Sequence, residues 1–187
     1  MNFWKNPFVK PAAVLVLAIL LAAGCAPRQK KTVIVPKTKI DRCISATRIQ
    51  KQMVRLINRA RASGGKCGTK RFRPATAVYW NTDLATAARG HSIDMAHRNR
   101  LSHKGSSNST VEKRVGRAGY IWRAVGENVA GGLNTCEAVV SGWLKSPGHC
   151  ENIMEPAFRE IGAACAINKT SRYKTYWTLV LAAPLKK

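Results

Sequence analysis

The 187 residues include 32 Lys and Arg against nine Asp and Glu, giving a formal net charge of +23, and 45% of them are hydrophobic. This length is sufficient for one domain with a single sizeable core. The sequence has no internal repeat and no low-complexity segment. No apolar run beyond the N-terminus approaches the length that spans a bilayer, so any membrane attachment is N-terminal.

The N-terminus has the organisation of a secretory signal. Lys5 and Lys10 precede an apolar run over residues 12–24 that has no polar side chain, which predicts a signal peptide over residues 1–24 that is removed. The run ends in LAAGC, which resembles the lipobox of bacterial lipoproteins. On that resemblance Cys25 is lipidated and becomes the first mature residue. Ordinary secretion with a spare cysteine is the alternative.

Residues 25–42 are predicted to be the lipidated cysteine and a basic tether. APRQKKTVIVPKTKIDR contains six basic residues, one acid and two prolines without a helical period, although TVIV could pair as a short strand. A large positive charge is often used to neutralise nucleic-acid phosphates. Here the export signal and the scattered basic residues argue against nucleic acid. Anionic lipid head groups, lipopolysaccharide or an acidic cell-wall polymer are the expected partners.

Five cysteines follow Cys25, and an exported chain favours disulfides. They allow two bridges and one free thiol in fifteen arrangements, and their spacing does not choose among them. The five are Cys43, Cys67, Cys136, Cys150 and Cys165.

Helical periods occupy the first half of the domain. Apolar residues recur at helical spacing over 44–63, Lys and Arg are predicted on the other face, and Gly64-Gly65 ends the helix. A second helix starts near Asn81. Its predicted buried stripe is Leu84, Ala88, His91 and Met95.

Two more helices and a hairpin follow. Ser109 with Glu112 forms a capping-box pattern for a short helix ending at Gly119. Thr135 is predicted to cap the helix CEAVVSGWLK, which Pro147-Gly148 would end. IGAACAIN and YWTLVLAA are β-rich runs joined by a polar turn, which indicates an antiparallel hairpin. Helices followed by a late hairpin predict an α+β fold.

Three residues are candidates for one site: His103 in LSHKG, Glu127 in GENVA and His149 in PGHC. Two imidazoles and a carboxylate are suitable ligands for zinc or a similar divalent ion. The same residues could act as an acid/base pair with an electrostatic partner, or could pin two loops together structurally. Glycine before Glu127 and before His149 predicts a tight turn at each place.

Other histidines and nucleophiles have simpler interpretations. His91 is predicted to be a hydrogen-bonded core residue and His97 a solvated surface residue, and the two lack the HExxH spacing of a zincin. Ser102 is not in a GxSxG elbow. Cys150 adjoins His149 and could be a nucleophile, but a disulfide is the favoured interpretation.

Six segments occur in an order that resembles the CAP superfamily: HSIDMA, LSHKG, RAGY, VGENVAGG, VVSGWLKSPGHCENIM and YWTLVLAAP. The superfamily includes cysteine-rich secretory, antigen 5 and pathogenesis-related 1 proteins, and this chain is most similar to its bacterial branch. The resemblance covers residues 53–184, and it places a CAP domain at residues 43–187. It implies a three-layer α-β-α sandwich with a small antiparallel sheet between helices, and an open cleft lined by His103, Glu127 and His149.

The resemblance also bears on the cysteines and on a fourth cleft residue. It implies a disulfide between Cys67 and Cys150, and it leaves Cys43, Cys136 and Cys165 unassigned. The eukaryotic pattern often has a further glutamate shortly after the tryptophan of the fourth helix, whereas this chain reads Trp143-Leu144-Lys145-Ser146. The nearest acid is Glu151, which nothing in the sequence places in the cleft.

Two functions of different class follow. The first is a non-catalytic CAP-domain lipoprotein of the cell envelope that binds a lipid, a cell-wall component or a protein through its cleft, which could hold a divalent metal such as zinc. The second is a hydrolase, such as a metal-dependent peptidase, that uses His103, Glu127 and His149. Membrane attachment is expected through Cys25. Ala26 replaces the Asp-type inner-membrane retention signal, which favours the outer membrane where the cell has one.

Overall fold

The computed structural model describes residues 41–185, so the predicted signal peptide, Cys25 and the TVIV segment lie outside the described residues. Within residues 41–185 the helices are α1 Ala46–Ser63, α2 Thr82–Arg98, α3 Val111–Arg117, α4 Cys136–Lys145 and α5 Pro147–Met154. The strands are β1 Asp41–Arg42, β2 Gly65–Cys67, β3 Lys70–Phe72, β4 Tyr79–Trp80, β5 Trp122–Gly131, β6 Glu160–Ile167 and β7 Thr175–Pro184. No helix in this part of the chain is long and apolar enough to cross a bilayer.

The central sheet has the strand order β1-β6-β7-β5. These neighbours are antiparallel, and the short β4 pairs in parallel with the start of β6. The predicted β6–β7 hairpin is therefore confirmed. β5 is an edge strand on which Glu127 lies opposite Val180. The strands β2 and β3 form a separate hairpin.

The two faces of the sheet carry different helices, because successive residues of a strand point to opposite faces. One face packs with α1, α4 and α5 through Ile161, Ala163, Cys165, Trp177, Leu179 and Leu181. The other face packs with α2 and α3 through Ala164, Ala166, Tyr176, Val180 and Ala182. This arrangement confirms the α+β class and the three-layer α-β-α sandwich.

The start of α2 lies directly on the sheet at Gly162. A Cβ atom at this position would collide with the backbone of Leu84 and Ala85, so a side chain would push the helix away. This close approach holds α2 against β6 and thereby positions His91 beneath the candidate site.

The first two predicted helices are confirmed, with one correction. The Ser45 hydroxyl caps α1 by accepting from Arg48 N, and the Asn81 side chain caps α2 by accepting from Asp83 N and Leu84 N. The prediction that basic residues of the first helix occupy its exposed face is wrong at Arg61, which is fully buried.

The structure also corrects the capping box and the two predicted turns. α3 begins after Thr110, because Ser109 ends a short 3₁₀ turn, Ser106–Asn108. α4 is capped by Thr135 as predicted and ends at Lys145, but Pro147 starts α5. Proline suits the first position of a helix because its missing N–H has no partner there. Gly126 lies within β5 and Gly148 within α5, so neither makes a tight turn.

Two disulfides join segments that are distant in sequence. Cys67 is bonded to Cys150, the pair implied by the resemblance, with their Cα atoms 5.4 Å apart. Cys43 is bonded to Cys165, with Cα atoms 5.6 Å apart, which links the chain after β1 to β6. Among the described residues Cys136 is a free, buried thiol.

Candidate functional site

Glu127 is the centre of the candidate site. It lies on β5, where alternation of side chains directs Val125, Glu127 and Val129 toward the α2–α3 layer. Its side chain is only 3% exposed. Oε1 accepts a hydrogen bond from Nδ1 of His103 at 2.9 Å, and Oε2 accepts one from Nη2 of Arg114 at 2.6 Å. The buried carboxylate is therefore compensated on both oxygens, as a buried charge requires.

His149 approaches the same place from α5 and is half-buried. Its ring centroid lies 6.5 Å from that of His103. The Asn128 side chain donates to the His149 carbonyl at 3.0 Å, and the Asn152 side chain donates to the Glu127 carbonyl at 3.2 Å. These amide bonds hold the start of α5 against β5, so the structure brings His103, Glu127 and His149 into one cluster.

Sequence reasoning missed two further residues of this cluster. Arg114, on α3, bonds Glu127 directly and also donates to the His103 carbonyl at 3.2 Å. His91, on α2, has its Nε2 3.8 Å from Oε1 of Glu127 and 2.8 Å from the Ser102 carbonyl, to which it donates. His91 was expected to be an ordinary core residue; it is buried, but it lies against the site.

The histidines of the cluster differ in their affinity for protons. The hydrogen bond from Nδ1 to the Glu127 carboxylate raises the pKa of His103. Burial lowers the pKa of His149, and the nearby His103 lowers it further. Burial also lowers the pKa of His91. A proton entering the cleft is therefore held by His103, and His91 and His149 stay neutral near pH 7.

We expect this order to appear in an NMR titration of the ring resonances from pH 8 to pH 5, with His103 protonating before His149. Glu127→Gln should bring the pKa of His103 down toward the ordinary value of about 6.5. Glu151→Gln is the matched control, because Glu151 bonds Lys70 outside the cleft. Protonation of His149 at the higher pH, or an equal shift in both variants, would contradict the assigned hydrogen bond.

The raised and lowered pKa values act oppositely on stability. The raised pKa of His103 stabilises the fold below the unfolded value of about 6.5, and this contribution disappears as the pH rises through the folded pKa. The lowered pKa values of His91 and His149 act in the other direction, because these residues stabilise the fold only while they are neutral. Their contribution is lost as the pH falls from about 6.5 through their folded pKa values.

The remaining candidates do not add a nucleophile or a second acid to the cleft. Cys150 is bonded to Cys67, so its sulfur is not a thiolate. Glu151 pairs with Lys70, on β3, at 3.3 Å. Burial raises the pKa of the Cys136 thiol to about 11, which keeps it protonated.

The arrangement fits a divalent metal poorly. Both oxygens of Glu127 are engaged, so the cleft offers Nε2 of His103 and the ring of His149 as donors. Residues 41–185 contain no group of three His, Cys, Asp or Glu side chains placed to hold a metal ion. Protein zinc sites usually use three or four such ligands. The Glu127 carboxylate holds the His103 ring in place through the hydrogen bond from Nδ1.

The fold and the cleft define a sandwich domain with two imidazoles and a buried carboxylate at the sheet edge. Residues 54–181 match the family model described as "CAP: Cysteine-rich secretory protein family", and the chain belongs to this family.

Relatives of known sequence or structure agree with this assignment. The chain is 30% identical to the uncharacterized protein YkwD of Bacillus subtilis over 118 residues, which are 63% of this chain and 42% of that protein. It resembles an extracellular SCP-domain protein from Bacillus anthracis, with 25% identity and a TM-score of 0.61, over 74% of this chain and 41% of that one. An outer surface protein from Borrelia burgdorferi shares the fold, with 16% identity, a TM-score of 0.63, and coverage of 76% and 97%. The chain spans less than half the length of YkwD.

Proposed function

We propose that this chain is a non-catalytic binding protein of the cell envelope, and that its cleft and basic surface bind anionic envelope lipid or polymer. The observation that carries the proposal is the environment of the Glu127 carboxylate. Each of its oxygens already accepts a hydrogen bond, from His103 or from Arg114, and the side chain is only 3% exposed, which disfavours its use as a metal ligand or as a base toward a substrate. The group that this site presents to solvent is the His103 imidazole, whose side chain is 58% exposed.

The location follows from the sequence and the relatives together. The B. anthracis relative is described as extracellular and the B. burgdorferi relative as an outer surface protein. LAAGC places a lipidation motif at Cys25 of this chain. We infer a lipoprotein held by its N-terminus, with the outer membrane favoured where the cell has one. Anchoring would keep the CAP domain within reach of anionic head groups.

A basic face lies on α1 and the β2–β3 hairpin. On α1, exposed basic side chains recur at helical spacing, and the hairpin extends the same charge. The basic face consists of Arg48, Lys51, Arg55, Arg59, Lys66, Lys70, Arg71 and Arg73, all exposed. Two acids compensate it in part, since Glu137 pairs with Arg55 and Glu151 with Lys70. The remaining charge makes this face complementary to an anionic surface.

The experiment measures co-sedimentation of the Cys25→Ser chain with vesicles, so that the lipid anchor does not contribute. We expect binding to phosphatidylglycerol vesicles and none to phosphatidylcholine vesicles. Reversing Arg48, Lys51 and Arg59 to Glu should weaken binding at least about tenfold, since each basic residue near an anionic membrane contributes about 1 kcal/mol. Arg55 is left intact because it bonds Glu137.

The matched control reverses three exposed basic residues elsewhere, Arg100, Lys113 and Lys169, with the same change in net charge. It should retain most of the binding. Equal loss in both triple variants would mean that net charge alone acts, which would contradict a defined face. If the chain binds neither kind of vesicle, the proposal that it binds anionic lipid is wrong.

Two alternatives to this proposal can be tested: a hydrolase activity and a bound divalent ion. A hydrolase has the His103–Glu127 pair in its favour, because a carboxylate-oriented imidazole can serve as a general base. It lacks a thiolate at Cys150, which is disulfide-bonded. A divalent ion such as zinc would rely on the two imidazoles, so we infer weak binding that His103→Ala with His149→Ala would remove.

A further inference from the structure

A second cavity, of about 420 Å³, lies between α2 and α3 on the side of the sheet that carries His91. It adjoins the cluster of His103, Glu127 and His149, because His91 and Arg114 line it, but neither His103 nor His149 does. Its lining is hydroxylated and charged. The lining residues that matter here are Gly90, His91, Asp94, Ser107, Ser109 and Arg117.

His91 supplies an unsatisfied buried acceptor. Its Nε2 lies 2.8 Å from the Ser102 carbonyl, which can only accept, so Nε2 carries the hydrogen. Burial lowers the pKa of the ring, which is therefore neutral and leaves a lone pair on Nδ1. Among the described residues, Nδ1 has no hydrogen-bond partner. Buried polar atoms are almost always paired, so this nitrogen is suited to a donor from outside the chain.

The Nδ1 edge of the ring faces the cavity. The Nε2 edge faces Ser102 and Glu127, and neither of these lines the cavity. The Nδ1 edge faces Asp94, which does line it, with 4.0 Å between Nδ1 and Oδ2. The Asp94 carboxylate accepts hydrogen bonds from Arg98 Nε at 3.0 Å, from Ser106 N at 3.0 Å and from the Ser106 hydroxyl. Asp94 therefore has its donors, and Nδ1 of His91 is the acceptor on this side of the ring that lacks one, such as a hydroxyl group.

The charges around the cavity restrict the class of ligand that can supply a hydrogen-bond donor to Nδ1 of His91. Asp94 is paired with Arg98, and Arg114 is engaged by Glu127 and by the Ser109 carbonyl. The exposed guanidinium of Arg117 adds positive charge at the rim. An ammonium donor is therefore disfavoured, and a ligand with hydroxyl donors and an acidic group is favoured.

We propose that this cavity binds an acidic sugar unit of an envelope glycan, with a sugar hydroxyl donating to Nδ1 of His91 and the acidic group beside Arg117. The proposal rests on the proposed envelope function and adds a second site and a ligand class to it. The exposed Ser107 and the buried Ser109 provide further hydroxyl groups in the lining.

Gly90 makes the cavity testable without disturbing the core. It lies inside α2 on the cavity wall, and a Cβ atom built there meets nothing within 4 Å in the described part of the chain. Glycine weakens a helix interior, so a side chain here should not impair folding. Gly90→Leu would fill the cavity. Gly116→Leu is the matched control, since Gly116 also lies inside a helix with the same open space, but does not line the cavity.

The experiment is an NMR titration of the full chain, labelled with ¹⁵N, using N-acetylmuramic acid. The Gly90 amide and the His91 ring nitrogens should shift saturably. N-acetylglucosamine, which lacks the carboxylate, should bind at least about tenfold more weakly. Gly90→Leu should weaken N-acetylmuramic acid binding at least about tenfold, and Gly116→Leu should leave it within about twofold. Arg117→Gln should reduce affinity for the acidic sugar to that of the neutral one.

Three outcomes would overturn the inference: no saturable shift at His91 and Gly90, full binding by Gly90→Leu, or shifts confined to His103 and His149. The vesicle experiment separates this failure from that of the proposed function. If vesicle binding is retained but the His91 ring nitrogens do not shift, the sugar-binding cavity is rejected and the proposed function is not. A shift at His91 with no vesicle binding supports the cavity and rejects the lipid-binding function of the basic face.

Discussion

Arg61→Met is expected to lower the free energy of unfolding by at least about 3 kcal/mol, because it removes a buried guanidinium that donates to four backbone carbonyl groups. The guanidinium is fully buried. Nε donates to Thr76 O at 2.7 Å, Nη1 to Ile153 O at 2.7 Å and Glu155 O at 2.9 Å, and Nη2 to Phe158 O at 3.1 Å. Burial lowers its pKa, but an arginine remains charged in proteins.

Denaturant unfolding of the variant measures this loss. Arg61→Lys should also destabilise, since an ammonium cannot reproduce the planar fork that reaches carbonyls on both sides. Arg59→Met is the control: Arg59 is exposed on the same helix, and surface substitutions usually change stability by less than about 0.5 kcal/mol. A similar small change for Arg61→Met would show that these carbonyls find other partners.

At Arg61 the helical periodicity of the sequence and the charge of the residue predict opposite degrees of burial. Ile49, Met53 and Ile57 form the buried stripe of α1 at intervals of four, and position 61 continues it. The periodicity therefore pointed to burial of this position. The charge of arginine argued for exposure, and only the carbonyls that end α5, far along the chain, resolve the conflict.

The candidate site could be predicted from the sequence only in part, because some of its residues lie in recognisable motifs and others do not. His103, Glu127 and His149 lie in motifs whose order is visible in the sequence, and the structure places them together. Arg114 and His91 have no such signal, because their roles depend on α3 and α2 reaching β5 from elsewhere in the chain. β5 itself was missed. Its segment GENVAGG is rich in glycine and lacks a run of β-branched residues, and pairing with β7 makes it a strand.

Removal of the Cys67–Cys150 bond, by Cys67→Ala with Cys150→Ala, is expected to lower the free energy of unfolding by about 4–5 kcal/mol on the chain-entropy model. The two cysteines are 83 residues apart in sequence, so the bond restricts a large loop in the unfolded chain. It also holds α5 beside β2, one residue after His149. We therefore expect a local effect on the cleft in addition to the global loss.

Cys43→Ala with Cys165→Ala is the matched control for the local effect. Its sequence separation is 122, and the logarithmic dependence on loop length makes its entropic contribution larger by only about 0.3 kcal/mol. The two double variants should thus lose similar stability in denaturant unfolding. Only the Cys67/Cys150 variant should shift the ring resonances of His149, because Cys43 and Cys165 lie at β1 and β6, away from α5. If both variants perturb His149 equally, the bond to Cys150 does not position the cleft, and the side-chain bonds of Asn128 and Asn152 are sufficient to hold His149 against β5.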